Sequence, residues 1–347
     1  MTATATATPA TPSTEQAQLP VLRIVCWQLS LVLVVTGLGT VWPVAAAGVV
    51  LLAASAARFR GEWLSTVAAR LVRLSVRRRA RDLPAQSGAL ALLESLAPGS
   101  RVRTAELAGT EAAVLSRPEE LLTVLGPAGA NPAELARTAL TGSLLPEPAA
   151  PGPALRLRLV LHRGPRQQEP KVWLAVRAER EPAFPGDEDL GVALGNTVRR
   201  VSRRLRALRL TVAPLTEQEL LATITALSHT GPGREALREN RRFWRAGPVT
   251  QAGIRVTGLA ARPGREGLPV LESLVASVPA VACTAALDCA PGAPAVLRLA
   301  ATTEHAVDAA VDQLARMAPA LGVALERLDG RHAPALAATL PIGGSSA

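Results

Sequence analysis

The side chains able to do chemistry are few and scattered. Four histidines (His162, His229, His305, His332) and three cysteines (Cys26, Cys283, Cys289) show no ligand spacing, and Lys171 is the one lysine among 38 basic residues. A His- or Cys-rich metal centre needs converging ligands and is poorly supported by these positions. Each histidine reads as a surface or loop residue. Cys283 and Cys289, placed on one extended strand, would stand about 20 Å apart, too far for a disulfide. The triplet Asp187-Glu188-Asp189 is the one acidic cluster that could hold a divalent ion, although acids leading into a helix also stabilise its N-terminus through the dipole. No G-x-x-x-x-G-K, G-x-G-x-x-G, G-x-S-x-G or H-E-x-x-H motif occurs. Gly231-Pro232-Gly233-Arg234 has the outline of a phosphate loop, but proline lacks an amide donor and no Lys-Ser/Thr pair follows. No catalytic, cofactor-binding or metal-binding residue is therefore expected.

The elements that would carry these side chains begin with an unusual N-terminus. Residues 1–20 are rich in Thr, Ala and Pro with one charge, Glu15, and read as a disordered tail. No charge interrupts Ile24 to Ala57. A single helix of that length would extend about 51 Å against a hydrocarbon core of roughly 30 Å. Gly37 to Pro43 offers a turn, so residues 21–57 are expected to form two transmembrane helices with Trp27 and Trp42 at interfacial depth. Eight arginines against the single acid Glu62 follow between Arg58 and Arg81, a positive-inside signal that places both termini in the cytoplasm. Trp63, Leu64, Val67, Leu71 and Leu74 recur at helical spacing, so residues 58–82 are expected as an Arg-rich juxtamembrane amphipathic helix facing anionic lipid headgroups. The location this implies is the plasma membrane, with a cytoplasmic soluble part.

Further along, the pattern turns to alternating strands and helices. Leu155, Leu157, Leu159 and Leu161 alternate with Arg156, Arg158, Val160 and His162, the signature of a strand with one buried face. Leu190, Leu194, Val198, Val201, Leu205 and Leu208 form a helical stripe, with Arg199, Arg200, Arg203, Arg204 and Arg206 on its polar side, a solvated face or a docking surface. Asn131 with Pro132, Thr216-Glu217-Gln218-Glu219, and Thr303 read as helix starts. Residues 100–215 are expected as a first α+β block, 216–248 as a helical connector and 249–341 as a second block. Each block reads β-α-β-β-α-β, the order of a ferredoxin-like unit. The expected fold class is thus α+β, an N-terminal two-helix transmembrane hairpin followed by two ferredoxin-like blocks. Arg241-Arg242-Phe243-Trp244-Arg245 joins basic and aromatic types that anchor interfaces. Candidate contact and membrane-surface residues are Arg58, Arg60, Trp63, Arg77, Arg78, Arg79, Phe243 and Trp244. Neither basic patch carries an aromatic stacking series, so no nucleic acid is expected as a partner.

The order of these features resembles the EccE family of the actinobacterial type VII (ESX) secretion apparatus. The resemblance is carried by Phe59-Arg60-Gly61-Glu62-Trp63-Leu64, Arg77-Arg78-Arg79, Val172-Trp173-Leu174-Ala175-Val176-Arg177, Phe243-Trp244-Arg245 and the terminal stretch Arg327 to Pro341. It implies a non-enzymatic subunit that stabilises the membrane secretion complex by anchoring and cytoplasmic contacts, without cofactor. The partners implied are EccD most directly, with EccB and the EccC ATPase in the same assembly. The alternative from another class is a membrane-anchored, transferase-like enzyme using the Asp187-Glu188-Asp189 loop as an acidic site.

Overall fold

The structure, a computed structural model, describes residues 14–40, 42–56, 58–59, 62–63, 80–84, 87–129, 131–140, 144–145, 152–167, 169–259, 264–289 and 294–343. The chain divides into two compact units, Met1–Arg78 and Arg79–Ala347.

In the first unit, helix α1 (Thr14–Thr40) lies against helix α2 (Trp42–Ala56), followed by an antiparallel pair of short strands, β1 (Arg58–Phe59) and β2 (Glu62–Trp63). Small residues let the two helices approach. A Cβ at Gly37 would meet the Ala45 backbone nitrogen at 2.2 Å, and one at Gly48 the Ser30 carbonyl oxygen at 2.9 Å. Leu31, Val35, Leu38, Trp42 and Val50 face outward and are exposed. The expected two-span hairpin and the plasma-membrane location drawn from it are corrected: among the described residues, no helix is long and apolar enough to cross a membrane. The apolar run is divided unevenly. α2 is about 22 Å long at roughly 1.5 Å per residue, short of a hydrocarbon core of roughly 30 Å. α1 begins with Glu15, Gln16, Gln18 and Arg23, and its uncharged part from Ile24 extends only about 26 Å. The break between the helices falls between Thr40 and Trp42, inside the expected turn of Gly37 to Pro43. The expected disordered tail is helical from Thr14, and its residues 1–13 lie outside the described residues. The expected amphipathic helix over 58–82 is replaced at its ends by strands, and residues 64–79 lie outside the described residues.

The second unit runs β3 (Ala80–Asp82), α3 (Gly88–Leu96), β4 (Arg101–Leu107), β5 (Thr110–Ser116), β6 (Glu120–Pro127), α4 (Pro132–Leu140), β7 (Leu155–Arg163), β8 (Lys171–Glu179), α5 (Asp187–Ala207) and β9 (Val212–Pro214). It continues with α6 (Glu217–Ser228), β10 (Ala236–Glu239), β11 (Trp244–Ala246), β12 (Val249–Thr257), α7 (Gly264–Ala276), β13 (Ala282–Asp288), β14 (Ala295–Ala301), α8 (Glu304–Met317), β15 (Ala324–Arg327) and α9 (His332–Thr339). Local chemistry sets several starts. Thr216 makes a full capping box with Glu219, Thr303 accepts from the Ala306 amide, and Asn131 accepts from Ala133 and Glu134.

The expected fold class, a membrane hairpin with two ferredoxin-like blocks, is corrected by the sheet. All thirteen strands from β3 onward form one sheet in the order β3-β10-β11-β12-β14-β13-β7-β8-β6-β5-β4, with β15 beside β12 and β9 beside β6. Every pairing is antiparallel. β7 and β13 join from Arg158↔Asp288 to Arg163↔Cys283, so strands from the two expected blocks satisfy each other's backbone in one sheet. The hairpins β4–β5 and β10–β11 extend the sheet further. The latter occupies part of 216–248, expected as a helical connector.

Helices cover this sheet on both faces. α4, α5, α7 and α8 bury Leu135, Leu194, Leu271 and Val307 against one face, while α3, α6 and α9 bury Leu92, Ile224 and Leu336 against the other. A strand covered twice reads as apolar throughout rather than alternating. β6 accordingly stays buried from Glu120 through Gly126. The wet face expected for residues 155–161 is therefore corrected: Val160 is 0% and Arg158 4% exposed. α9 sits so close to β12 that a Cβ at Gly253 would fall 2.3 Å from the Ala335 Cβ. Gly253→Ala should overpack this contact and cost about 1–3 kcal/mol in urea denaturation. Wild-type stability in that variant would mean that α9 is not seated on β12.

Candidate functional site

The double covering forces the polar residues of the sheet's second face into bonded groups. The first crosses the β7–β13 seam. Arg158 donates from Nε and Nη2 to the two carboxylate oxygens of Asp288, at 2.7 and 3.0 Å, and from Nη1 to the Ala338 carbonyl at 3.3 Å. Arg177 lies 3.5 Å from the same Asp288 and bonds Glu120, which also accepts from Arg117 at 2.9 Å. Arg117 in turn donates to the Gly343 carbonyl at 2.6 Å, tying the end of the described chain to the network. Burial works against the charge on Arg177, but Glu120 beside it more than offsets this and raises its pKa. Burial likewise opposes ionisation of Asp288, yet hydrogen bonding and charge from Arg158 hold its pKa low.

The second group surrounds Arg298, which is 2% exposed. It donates to the Thr339 hydroxyl at 2.8 Å, to the Leu227 carbonyl at 2.6 Å and to the Gln251 side-chain oxygen. These partners are neutral, and burial pushes the guanidinium pKa down to about 9, still protonated at neutral pH. His162 bonds the Thr284 hydroxyl at 2.9 Å, and its ring centroid lies 6.3 Å from that of His229. Burial first, then the Arg298 charge, lowers His162 to about 4 and His229 to about 3. His332, 2% exposed, is lowered by burial to about 4. The surface-or-loop reading is thus corrected for His162 and His332, while His229 lies in the turn that ends α6 and His305 is exposed. Burial also pushes the thiols of Cys283 and Cys289 up to about 12, which removes their nucleophilic thiolate at neutral pH. The sequence missed Arg158, Glu120, Gln251 and Arg298 as buried polar residues. For Arg158 and Arg298 the available signal was a charge flanked by leucine on both sides, a pattern that exposed Arg156 shares, and Glu120 and Gln251 carried no such signal.

The acidic triplet divides. Asp187 accepts from Arg180 at 2.6 Å and Ser116 at 3.1 Å, with Arg103 at 3.5 Å, at the first turn of α5. Burial opposes its ionisation, but these bonds and charges hold its pKa below the usual carboxylate range. Glu188 and Asp189 are exposed. No group of three His, Cys, Asp or Glu among the described residues could hold a metal ion.

Of the expected contact residues, Phe243 and Trp244 are corrected: they are 2% and 6% exposed and belong to the cores of the two faces. Arg327 stacks over the Phe243 ring at 4.9 Å and Arg242 at 5.6 Å. Arg58 and Trp63 are paired across β1 and β2, and Arg60, Arg77, Arg78 and Arg79 lie outside the described residues. The exposed basic surface is instead on α5. Arg199, Arg200, Arg203 and Arg206, with Arg209 just beyond the helix, are exposed and have no carboxylate partner among the described residues. Elsewhere Arg156, Arg238, Arg242, Arg245 and Arg255 each reach one, whereas Arg101, Arg166, Arg234 and Arg241 are exposed without one among the described residues but do not share one helix face. The arginines of α5 stand opposite Leu194, Val198, Val201 and Leu205, which are 0% exposed. Neither a protein-family model nor a curated protein matches the chain.

Two outcomes follow from the buried groups. Asp288→Asn removes the carboxylate charge that Arg158 bonds with two of its nitrogens, and should cost about 3–5 kcal/mol in chemical denaturation. A change near zero would mean that water reaches the seam. The histidines act through pH. His162, His229 and His332 are neutral when folded and take up protons near 6.5 when unfolded, so their contribution is full above that pH and is lost as pH falls toward about 4 for His162 and His332 and about 3 for His229. The urea midpoint should decline across that interval, and less steeply in His162→Gln. A midpoint with equal acid sensitivity in wild type and variant would remove His162 from the account.

Proposed function

We propose that the chain is a non-enzymatic subunit of a type VII (ESX) secretion complex that works by holding its neighbours through protein contact. The observation that carries this reading is the disposition of charge. Arg158 and Arg298 inside the sheet are held by hydrogen bonds within the protein, whereas Arg199, Arg200, Arg203, Arg206 and Arg209 stand at the surface without a carboxylate among the described residues. Such a surface favours an acidic partner and steers its approach. The order of features that resembles the EccE family supports the same reading and supplies the partners: EccD most directly, then EccB and EccC. The reading keeps the subunit contacts of that family and leaves out the two membrane spans. The enzymatic alternative is weakened by Asp187, whose carboxylate is engaged by Arg180 and Ser116.

The test is a deletion strain complemented with variants. The pair Arg199→Glu and Arg203→Glu should reduce co-purification of EccD, EccB and EccC by about tenfold or more, at unchanged melting temperature. Glu188→Gln and Asp189→Asn should leave secretion at the wild-type level. Loss of secretion in either acid variant, with protein level and assembly intact, would overturn the non-enzymatic reading. Retained co-purification in the arginine pair would overturn the contact surface.

A further inference from the structure

The sheet of the second unit reads the same outward from its β7–β13 seam. One wing runs β8, β6 with β9 alongside, β5 and β4; the other runs β14, β12 with β15 alongside, β11 and β10. The helices follow the same order, since α3, α4 and α5 precede, split and close the first wing as α6, α7 and α8 do the second. One strand breaks the correspondence. β3 adds to the outer edge of β10, with Ala236↔Asp82 and Arg238↔Ala80 as Cα partners and Arg238 donating to Asp82 at 3.0 Å. β4, the counterpart of β10, has β5 as its sole sheet neighbour among the described residues.

The open edge of β4 has a defined chemistry. Ala108 (φ 56°) and Gly109 (φ 85°) form a two-residue turn that pairs Leu107 with Thr110. In such a turn the closing pair is hydrogen-bonded, and bonded pairs alternate along an antiparallel ladder. Arg101, Arg103, Ala105 and Leu107 therefore bond β5, which leaves the N–H and C=O groups of Val102, Thr104 and Glu106 on the open side. The faces of β4 are partly covered: Ala105 and Leu107 belong with the core under α5, Val102 with the opposite core, and Thr104 donates to Glu217 of α6 at 3.3 Å. What remains is a backbone edge with two charge features. Arg101 has no carboxylate partner among the described residues, and Arg103, on the same face, has only Asp187 at 3.5 Å. On the other face, Glu106 sits directly opposite Glu111 of β5, and both are exposed. Like charges directly opposite each other destabilise a sheet.

We propose that β4 is completed by an extended segment of another protein, added antiparallel as a further strand, with carboxylates opposite Arg101 and Arg103 and a basic residue opposite Glu106. Main-chain bonds to Val102, Thr104 and Glu106 would supply affinity, and the three charged positions would set register. A second copy of this chain fits less well. Pairing β4 with itself through those bonded positions opposes even-numbered residues to each other, which keeps Arg101 and Arg103 on the face away from Glu106 and supplies no counter-charge. The inference does not depend on the secretion reading, since it concerns an edge remote in sequence from the arginines of α5.

The probe is the fluorescein-labelled heptapeptide Thr-Lys-Val-Thr-Glu-Val-Glu, titrated into the full chain and read by anisotropy. Its charge-reversed counterpart, Thr-Glu-Val-Thr-Lys-Val-Lys, is the control. The first should bind saturably and the second at least about tenfold more weakly, from three cross-strand charge pairs. Thr104→Pro removes an outward N–H and blocks the incoming strand while sparing the β5 ladder, so it should abolish binding in a chain that still folds, with a lower melting temperature from loss of the Thr104–Glu217 bond. Hydrogen exchange on the unmodified chain checks the same point without a variant. Adding the first peptide should slow exchange at Val102, Thr104 and Glu106 and nowhere else in the sheet. Absence of binding, equal binding of the two peptides, survival of binding in a folded Thr104→Pro chain, or protection located elsewhere would each overturn the proposal. The first of these would make the charges on β4 a guard against edge pairing.

Discussion

Covering a sheet on both faces removes the water that polar side chains of its inner strands would otherwise use. An unpaired buried charge costs several kcal/mol, so each such residue here must find its partners within the protein. Arg158 does so across the β7–β13 seam through Asp288, and Arg298 does so through neutral oxygens from β12, α6 and α9. These bonds couple strands to the helices above them. A guanidinium held by Leu227, Gln251 and Thr339 requires the end of α6, the strand β12 and α9 to be in place together. The outer layer is thus fixed by polar geometry as well as by Leu92, Ile224 and Leu336.

Local signals in the sequence were legible where one residue type answers one backbone need. Thr216, Thr303 and Asn131 begin the helices whose first amides they accept. The stripe Leu190 to Leu205 marks α5 because that helix has solvent opposite its buried side. α3 and α9 lack such signals. α3 is short, with leucines on its exposed as well as its buried side, and α9 is Ala-rich and buried over nearly all its length, so no contrast between wet and dry faces marks it. Without them, the second face of the sheet reads as wet from the sequence, and Arg158 and His162 read as outward residues. The seam itself was illegible for a different reason. Pairing of β7 with β13 joins distant segments, and nothing in either strand names the other.

The candidate site was legible in part. The arginines of α5 were recognised as a polar face, and the structure adds that five basic residues there lack a carboxylate neighbour among the described residues. Phe243 and Trp244 were misread because the aromatic types that anchor interfaces also anchor cores. In a chain with so few aromatics, the fold uses both: Phe243 carries the guanidinium of Arg327, which itself bonds Asp308 at 2.7 Å. The same residues that looked like a surface patch therefore brace the β10–β11 hairpin against α8.

The seam also has a consequence for the order of events during synthesis. β7 leaves the ribosome long before β13, the strand that covers its edge, because the pairing matches Leu161 with Ala285 and Arg163 with Cys283. At about 5–20 residues per second, the delay is on the order of 6–24 s. Throughout that interval the first wing presents an uncovered, Leu-rich strand, and Arg158 waits without its carboxylate. Translation speed between the two strands is thus a determinant of yield. Slow codons after β8 would lengthen the exposure, and a chaperone that masks an apolar strand edge would shorten its effect.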